Sequence, residues 1–376
     1  MDSGHPDLQR RRLLASLLAA GVSPQVLATA MPEEEYILSA QGSHEQAYGL
    51  GQVRRHHGDA QSASTGFRGH GASVHPLKPG IALMYSRRPG DRCVEVDLRT
   101  NTVKQAFVCP EGHHLFGHGC FSQDGTILFT SEADFRSGKG KIGIRDSRTY
   151  QRIGEYDSHG VGPHEIKLMP DGKTLLVANG GLLTHPKTGR KTLNLDSMES
   201  RLSYIDLSKG QQLEAFKVPE DKASIRHIDV ASDGTVAIAT QVQRAAMRHN
   251  ELVPLGAVQK PGQALEMLAE PAVLIHHMQD YMGSVAINNR TRIAGFTSPR
   301  GNVAAFWHLD EARFVQYHQL HDVCGLGVSN DEQHFVISNS SGQLRFLDAN
   351  TLQEDKTKRL HFPHMRWDNH LLVTRV

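Results

Sequence analysis

Apolar and polar residues alternate over short segments through most of the chain from about residue 36 onward. Alternation with a period of two predicts β-strands that bury one face, and Cys93–Leu98 and Leu344–Asp348 are clear examples. Asp-Gly pairs separate several of these strands and favour tight hairpins, because glycine readily takes the positive φ that such turns require. A helix is predicted only as a short segment near 262–270 and within the N-terminal thirty residues. The pattern predicts an all-β fold.

The strands belong to a repeat that begins with a histidine. The segment Phe116–Thr130 recurs as 162–178 and again as 225–239, and each copy contains an Asp-Gly turn between two strands. Weaker copies begin near residues 69, 282, 324 and 363. The equivalent residues, which we call anchors, are His70, His118, His164, His227, Gly283, Gly325 and His364.

Seven units of about 49 residues predict a seven-bladed β-propeller formed by residues 31–376 as one domain. The first strand segment, 36–53, and the last copy each supply too few strands for a complete blade. We therefore expect the N- and C-terminal strands to combine in one blade. A two-sheet sandwich is the alternative, but it predicts no sevenfold anchor. The extra length is assigned to two insertions, 182–200 and 243–272.

The N-terminus has the three parts of an export signal. Arg10, Arg11 and Arg12 precede a short apolar stretch that ends in Ala28-Thr29-Ala30. Adjacent arginines followed by leucines resemble a twin-arginine signal, so residues 1–30 are predicted to direct export to the periplasm, with cleavage near Ala30. An amphipathic N-terminal helix is the alternative.

Composition argues against two classes of partner. The chain has 41 Lys+Arg and 40 Asp+Glu, with no basic stripe, so nucleic acid is not expected as a partner. No apolar run is long enough for a spanning helix, so stable membrane insertion is not expected either.

Histidine is abundant, at 23 residues, and occupies five of the seven anchors. The innermost strand of each blade borders the axial channel of a propeller, so anchors at its start would form a ring at one channel mouth. Converging imidazoles bind copper, iron, nickel or zinc, and the predicted ligands are His70, His118, His164, Glu165 and His227. Glu132, Asp134, His159 and His364 are predicted as secondary groups nearby. Such a site is expected to lose its metal on acidification, with weaker binding at about pH 5, because imidazoles become protonated.

Alternatives remain open for these residues. The histidines equally suit a structural role, with each imidazole hydrogen-bonded inside its own blade. Cys93 and Cys109 are equidistant from Asn101 and would form a disulfide if they faced each other across a hairpin. Cys120 and Cys324, near the anchors, are additional thiol ligands or buried apolar groups.

Several long segments resemble those of the domain-of-unknown-function 1513 family, a group of twin-arginine-exported bacterial propellers. They include Gly117–Gly119, Thr130–Phe135, Ser158–Glu165, Ala178–Pro186 and Ser224–His227, and the likeness covers nearly all of residues 31–376. The resemblance implies an association with imelysin-type iron-uptake proteins or a di-haem oxidoreductase. It implies no catalytic residues.

Three functions are compatible with the sequence. The first is a non-enzymatic periplasmic protein that binds iron or copper, or a metal-bearing partner, in metal acquisition. The second is a lyase- or lactonase-like enzyme in which His164 is the general base, Arg226 stabilises an oxyanion and Glu165 assists. The third is an interaction platform in which the insertions make the contacts and the histidines are structural.

Overall fold

The computed structural model describes residues 34–376, in which 28 strands form seven four-stranded antiparallel sheets. Each sheet is one blade, numbered here in chain order. Blade 1 contains β1 (Glu35–Gln41), β2 (Gly49–Arg54), β3 (Asp59–Ser64) and β28 (Leu372–Arg375). Blade 2 contains β4 (Gly69–Val74), β5 (Ile81–Ser86), β6 (Arg92–Asp97) and β7 (Thr102–Val108). Blade 3 contains β8 (His113–Phe121), β9 (Ile127–Asp134), β10 (Lys139–Asp146) and β11 (Arg152–Asp157).

The remaining blades follow the same order. Blade 4 contains β12 (Pro163–Leu168), β13 (Thr174–Asn179), β14 (Arg201–Asp206) and β15 (Gln212–Phe216). Blade 5 contains β16 (Ala223–Val230), β17 (Val236–Val242), β18 (Gly256–Gln259) and β19 (Leu265–Leu268). Blade 6 contains β20 (Ser284–Asn288), β21 (Ile293–Ser298), β22 (Val303–His308) and β23 (Arg313–Gln319). Blade 7 contains β24 (Val323–Val328), β25 (His334–Asn339), β26 (Gln343–Asp348) and β27 (Leu360–His361).

The first strands of neighbouring blades contact one another around a closed ring. In blade 1 the first strand is β28, which pairs with β1 from Leu38↔Leu372 to Glu35↔Arg375 and contacts β4 and β24. The predicted seven-bladed propeller is therefore confirmed, and its closure joins both ends of the chain in one sheet.

Apolar side chains on the strands fill the spaces between blades. Leu83 and Tyr85 of blade 2, for example, pack in one cluster with Leu115 and Leu128 of blade 3, and all four are buried. Radial packing of this kind covers both faces of each sheet and leaves only short edges. The first strands are thereby held around the axis.

The structure revises two sequence predictions in blade 5. Residues 265–268 form its outermost strand, β19, whereas the helix, α1, begins later and covers Ala272–His277. The predicted insertion 243–272 consequently contains two blade strands, and its irregular part is 243–255, with a 3₁₀ turn at Arg244–Ala246. The segment 182–200 is a loop between β13 and β14, as predicted, with a 3₁₀ turn at Pro186–Thr188. A third 3₁₀ turn covers Lys356–Lys358.

Cys93 and Cys109, which the sequence left open as a disulfide pair, are both free thiols. The register explains this, since Cys93 lies opposite Phe107 and the amide of Cys109 bonds to Asp91 O. Cys93 is thus paired with the residue two positions before Cys109. Both thiols pack instead in the core between blades 2 and 3.

The predicted export signal, residues 1–30, lies outside the described residues. Within residues 34–376, no helix combines the length and the apolar character needed to cross a bilayer.

Candidate metal centre in the axial channel

Backbone irregularities direct the anchor histidines toward the axis. In blades 2 to 5 the pairing between first and second strands shifts register beside the anchor, between Gly69/Ala72, Leu115/Gly119, Pro163/Ile166 and Ile225/His227. A β-bulge of this kind changes the direction in which a side chain points and is common beside functional sites. His70, His118, His164 and His227 thus come together from four different blades.

The fifth imidazole belongs to His370 and not to His364. His370 lies two residues before β28, the first strand of blade 1, and its ring centroid is 4.4 Å from that of His227 and 4.6 Å from that of His70. His364 is exposed beside Phe362. The sequence prediction placed the seventh anchor six residues too early, at a hydrogen-bonded turn between Phe362 and Met365 that precedes β28.

The five rings form one compact group, the imidazole cluster: His70, His118, His164, His227 and His370. Ring centroids lie 4.8 Å apart for His70 and His118, and likewise for His164 and His227. Three overlapping sets of potential ligand atoms each lie within 4.8 Å of one another: His70–His118–His370, His70–His164–His227 and His118–Glu165–His227. All four predicted ligand histidines and Glu165 are therefore brought together.

The closest pair of imidazole nitrogens is suited to a shared ion. Nε2 of His70 and Nε2 of His164 are 3.2 Å apart. Two nitrogens bound to one ion at about 2.0–2.1 Å, at a tetrahedral angle, would be about 3.3 Å apart. The spacing is also that of a hydrogen bond between neutral rings, in which one nitrogen donates and the other accepts.

Glu165 joins the cluster from β12. One carboxylate oxygen is 3.1 Å from Nδ1 of His227, and the other is 3.8 Å from Nδ1 of His118. The first oxygen also accepts the backbone N–H of Ile228, which fixes the carboxylate. Lys167 lies 3.7 Å from Glu165 and 3.3 Å from Asp229 and supplies a positive charge on the same side.

Burial keeps the cluster uncharged. It lowers the pKa of all five imidazoles well below their usual range, and the charges of neighbouring rings and arginines act in the same direction. Glu165 opposes this effect at His118 and His370. Neutral imidazole is the form that binds metal. Protonation of these nitrogens therefore requires a lower pH than for an ordinary histidine.

Several ring nitrogens have no hydrogen-bond partner among the described residues: Nδ1 of His70, Nε2 of His118, Nδ1 of His164 and Nε2 of His370. A buried polar atom without a partner is costly and calls for an explanation, such as a ligand. Beside these rings is a cavity of about 90 Å³, lined by His70, His118, Glu165, Lys167 and His370. Hydrogen bonds inside single blades therefore do not account for the cluster.

Two glycines make room for the rings. A Cβ on Gly71 would come within 2.8 Å of Nδ1 of His118, and one on Gly117 would come within 2.8 Å of Cβ of His70. Gly117 also has a φ of +104°, which side-chain-bearing residues rarely adopt. The Gly-His pairs of the repeat thus let adjacent blades approach closely.

Gly117→Ala is expected to lower the free energy of unfolding by about 2–3 kcal/mol, combining backbone strain with displacement of His70. Gly58→Ala is the matched control, because Gly58 also has a positive φ, +67°, but nothing within 4 Å of an added Cβ. Urea unfolding of both variants measures the difference. Equal losses in the two variants would mean that the approach of Gly117 to His70 is not tight.

Steric crowding explains why glycine occupies two of the anchor positions, Gly283 and Gly325. A Cβ on Gly325 would come within 2.7 Å of the Leu371 side chain, and one on Gly283 would approach Pro299 and Tyr281. The space that an imidazole would need in blade 7 is therefore filled by the residue after His370.

The four predicted secondary residues are not brought to the cluster. Glu132 is fully buried in an ion pair with Arg145 and Arg152, at 2.8 and 2.6 Å. Asp134 accepts hydrogen bonds within the turn after β9, and Nε2 of His159 bonds to Gly210 O at 2.9 Å. His364, as described above, is exposed.

The thiols near the anchors stay protonated. Burial raises the pKa of Cys120 to about 12, and it also raises the pKa of Cys324, whose thiol donates to Trp367 O at 3.4 Å. Metal binding requires the thiolate, so these cysteines fit the apolar alternative.

The sequence matches the family described as "Protein of unknown function (DUF1513)" over residues 63–374, and the chain belongs to this family. No curated protein matches the chain. Among solved structures, it is similar to Kuenenia stuttgartiensis Hydrazine Synthase, with a TM-score of 0.59 and 14% identity, over 87% of this chain and 89% of the other. At that identity the likeness extends to the fold alone.

Proposed function

We propose that this propeller binds one transition-metal ion in its axial channel and acts in periplasmic metal acquisition. The ligands are drawn from the imidazole cluster together with Glu165. The observation that carries the proposal is the convergence of five imidazoles from five blades, of which four are buried and His370 is partly exposed, with four ring nitrogens that have no partner among the described residues.

The donor set favours a borderline metal. Imidazole suits zinc, copper, iron and nickel, whereas calcium and magnesium prefer oxygen ligands. The set His118–Glu165–His227 has the composition of the two-histidine, one-carboxylate sites that hold non-haem Fe(II). We therefore propose iron as the first metal to test and copper as the second.

Export supports the biological setting of this proposal. The Arg10–Arg12 signal and the resemblance to exported propellers associated with imelysin-type proteins favour a periplasmic location. A metal-binding protein in that compartment would deliver its ion to, or receive it from, such a partner or a di-haem oxidoreductase.

The experiment is elemental analysis of the protein purified without chelators from the periplasmic fraction. One iron or copper per chain is the expected result. The purified metal-free protein is then titrated with Fe(II) under argon and with Cu(II) and Zn(II). Because two ligands are lost, His118→Ala plus His164→Ala is expected to weaken binding at least a hundredfold.

His364→Ala is the matched control, because that histidine is exposed and outside the cluster. Circular dichroism of each metal-free variant shows whether it is folded. If the folded double variant binds metal as tightly as the unmodified protein, the site is wrong. A chain that neither contains nor binds any of these metals contradicts the function, and recovery only from the cytoplasmic fraction contradicts the location.

A further inference from the structure

A group of arginines lies at the channel mouth next to the imidazole cluster. Arg226 is adjacent in sequence to His227, and its terminal nitrogen is 3.5 Å from Nε2 of His164. Arg87 and Arg88 directly follow β5, and Arg190 is on the loop between β13 and β14. The end of each second strand lies beside the start of the first strand of the same blade, so these loops share the mouth with the anchors.

The loop 182–200 is held toward this mouth by packing on blade 3. His185 lies edge-on to Phe135, with ring centroids 5.0 Å apart. Burial lowers the pKa of Arg226 to about 10, and the nearby charges of Arg190 and Arg87 act in the same direction. The loop therefore brings a further positive charge to the group.

Negative charge at this mouth does not balance the arginines. Asp368 pairs with Arg68 at 2.9 Å and with Arg87 at 3.2 Å. Among the described residues, Arg88 and Arg190 form no ion pair, although the charge of Asp368 reaches Arg190, and Arg226 contacts only the neutral groups Gln241 and His164. Three guanidinium groups are thus left without an ion-paired carboxylate.

Two of the three guanidinium groups are on buried side chains. Arg88 and Arg226 are 7% and 6% exposed, and Nε of each has no hydrogen-bond partner among the described residues. Phe116 lies beneath Arg88, with Cζ 5.9 Å from the ring centroid. Burying an arginine without a counter-charge costs several kcal/mol, so buried arginines are normally paired. The protein maintains this arrangement at the point where the channel opens beside the imidazoles.

We propose that this mouth is a binding site for a small oxyanion, a carboxylate or phosphate, held between Arg88 and Arg226 and covered by Arg190. The planar fork of arginine matches the oxygens of both groups and forms paired hydrogen bonds with them. The anion supplies the charge that the protein itself does not provide.

Its position next to His164 gives the anion a second role, which rests on the proposed metal site. An oxyanion bound by Arg226 has oxygens within reach of an ion at the imidazole cluster. The protein then takes up the metal together with an anionic ligand, as a ternary complex.

The test begins with metal-free protein at constant ionic strength. Isothermal titration with oxalate and with inorganic phosphate is expected to show saturable binding of at least one, and the stronger ligand identifies the class of anion. Arg88→Gln and Arg226→Gln are each expected to weaken that binding at least tenfold. Arg313→Gln, an exposed arginine on β23, is the control and is expected to change nothing.

If the variants of the buried arginines fail to fold, Arg190→Gln still tests the proposal, because the Arg190 side chain is exposed on a loop. Arg190→Gln is expected to weaken anion binding about threefold. Absence of binding by both anions, or equal weakening in Arg313→Gln, overturns the proposal. Metal titration of the same variants without anion separates the two proposals. An intact metal site with no anion binding contradicts only the anion site, whereas anion binding without metal binding contradicts only the metal site.

Discussion

Acidifying the metal-free protein from pH 7.0 to pH 5.5 is expected to lower its free energy of unfolding by up to about 6 kcal/mol. The cause is the imidazole cluster, in which burial holds the pKa of every ring well below the usual value. In the unfolded chain the same groups titrate near 6.5.

The sign follows from proton binding. Below about pH 6.5 the unfolded state takes up protons that the folded state does not, so stability falls as the pH falls. The contribution of these neutral rings to stability is fully present at a pH above the pKa of the unfolded state. It is lost progressively as the pH falls toward the lower pKa of the folded state. Each ring contributes about 1.2 kcal/mol over this interval, and His75 and His114, whose pKa is also lowered by burial, act in the same direction.

The measurement is urea unfolding at pH 7.0, 6.0 and 5.5 in the presence of a chelator. Replacing His70 and His227 by Gln is expected to reduce the loss of stability between pH 7.0 and pH 5.5 by about 2.4 kcal/mol, because two of the five rings of the cluster are removed. His364→Ala is the control and should preserve it. A pH dependence that the double variant leaves unchanged would contradict the assignment.

This loss is of the same order as the whole stability of many domains, about 5–15 kcal/mol. Metal release in acid is consequently expected to accompany unfolding, because the folded site resists protonation. Saturating metal, which binds only the folded form, should move the transition to lower pH.

The second large effect concerns the buried ion pair in blade 3. Glu132→Gln is expected to cost about 3–5 kcal/mol, because it leaves the charge of Arg145 buried without a carboxylate. Arg145 is 1% exposed, its NH1 lies 2.8 Å from Glu132, and its Cζ is 3.9 Å from the centroid of Phe107. The packing on Phe107 remains in the variant but does not replace a counter-charge.

Glu155→Gln is the matched control, because Glu155 pairs with Arg152 at the edge of the same group but is 39% exposed. Its cost is expected to stay below about 1 kcal/mol. Urea unfolding at pH 7 measures both variants. Combining Glu132→Leu with Arg145→Met should recover most of the loss, since buried ion pairs exchange for apolar groups at little cost. A cost for Glu132→Gln equal to that of Glu155→Gln would contradict the role of this ion pair.

The fold was accessible from the sequence because each blade repeats one local pattern. Alternating strands and Asp-Gly turns are determined by neighbouring residues, and seven anchors predict seven blades. Four of the five clustered histidines followed from the same repeat, as did Glu165 beside His164. The sequence also indicated the closure, since the incomplete first and last units complement each other in one sheet.

Other features were decided only by the tertiary structure. His370 replaces His364 because the register of β28 is set by its pairing with β1, more than 330 residues away in sequence. Glu132 lies in an internal ion pair because its strand face points between blades, away from the axis.

The group of arginines at the channel mouth was likewise decided only by the tertiary structure. Arg88 and Arg190 belong to loops of different length and carry no shared motif, so nothing in the sequence links them to Arg226. They meet because the propeller brings the second-strand ends of separate blades to the side of the ring on which the imidazoles converge. Local residue patterns thus determined the blades and most of the cluster, whereas contacts between distant segments determined its last ligand and the charge around it.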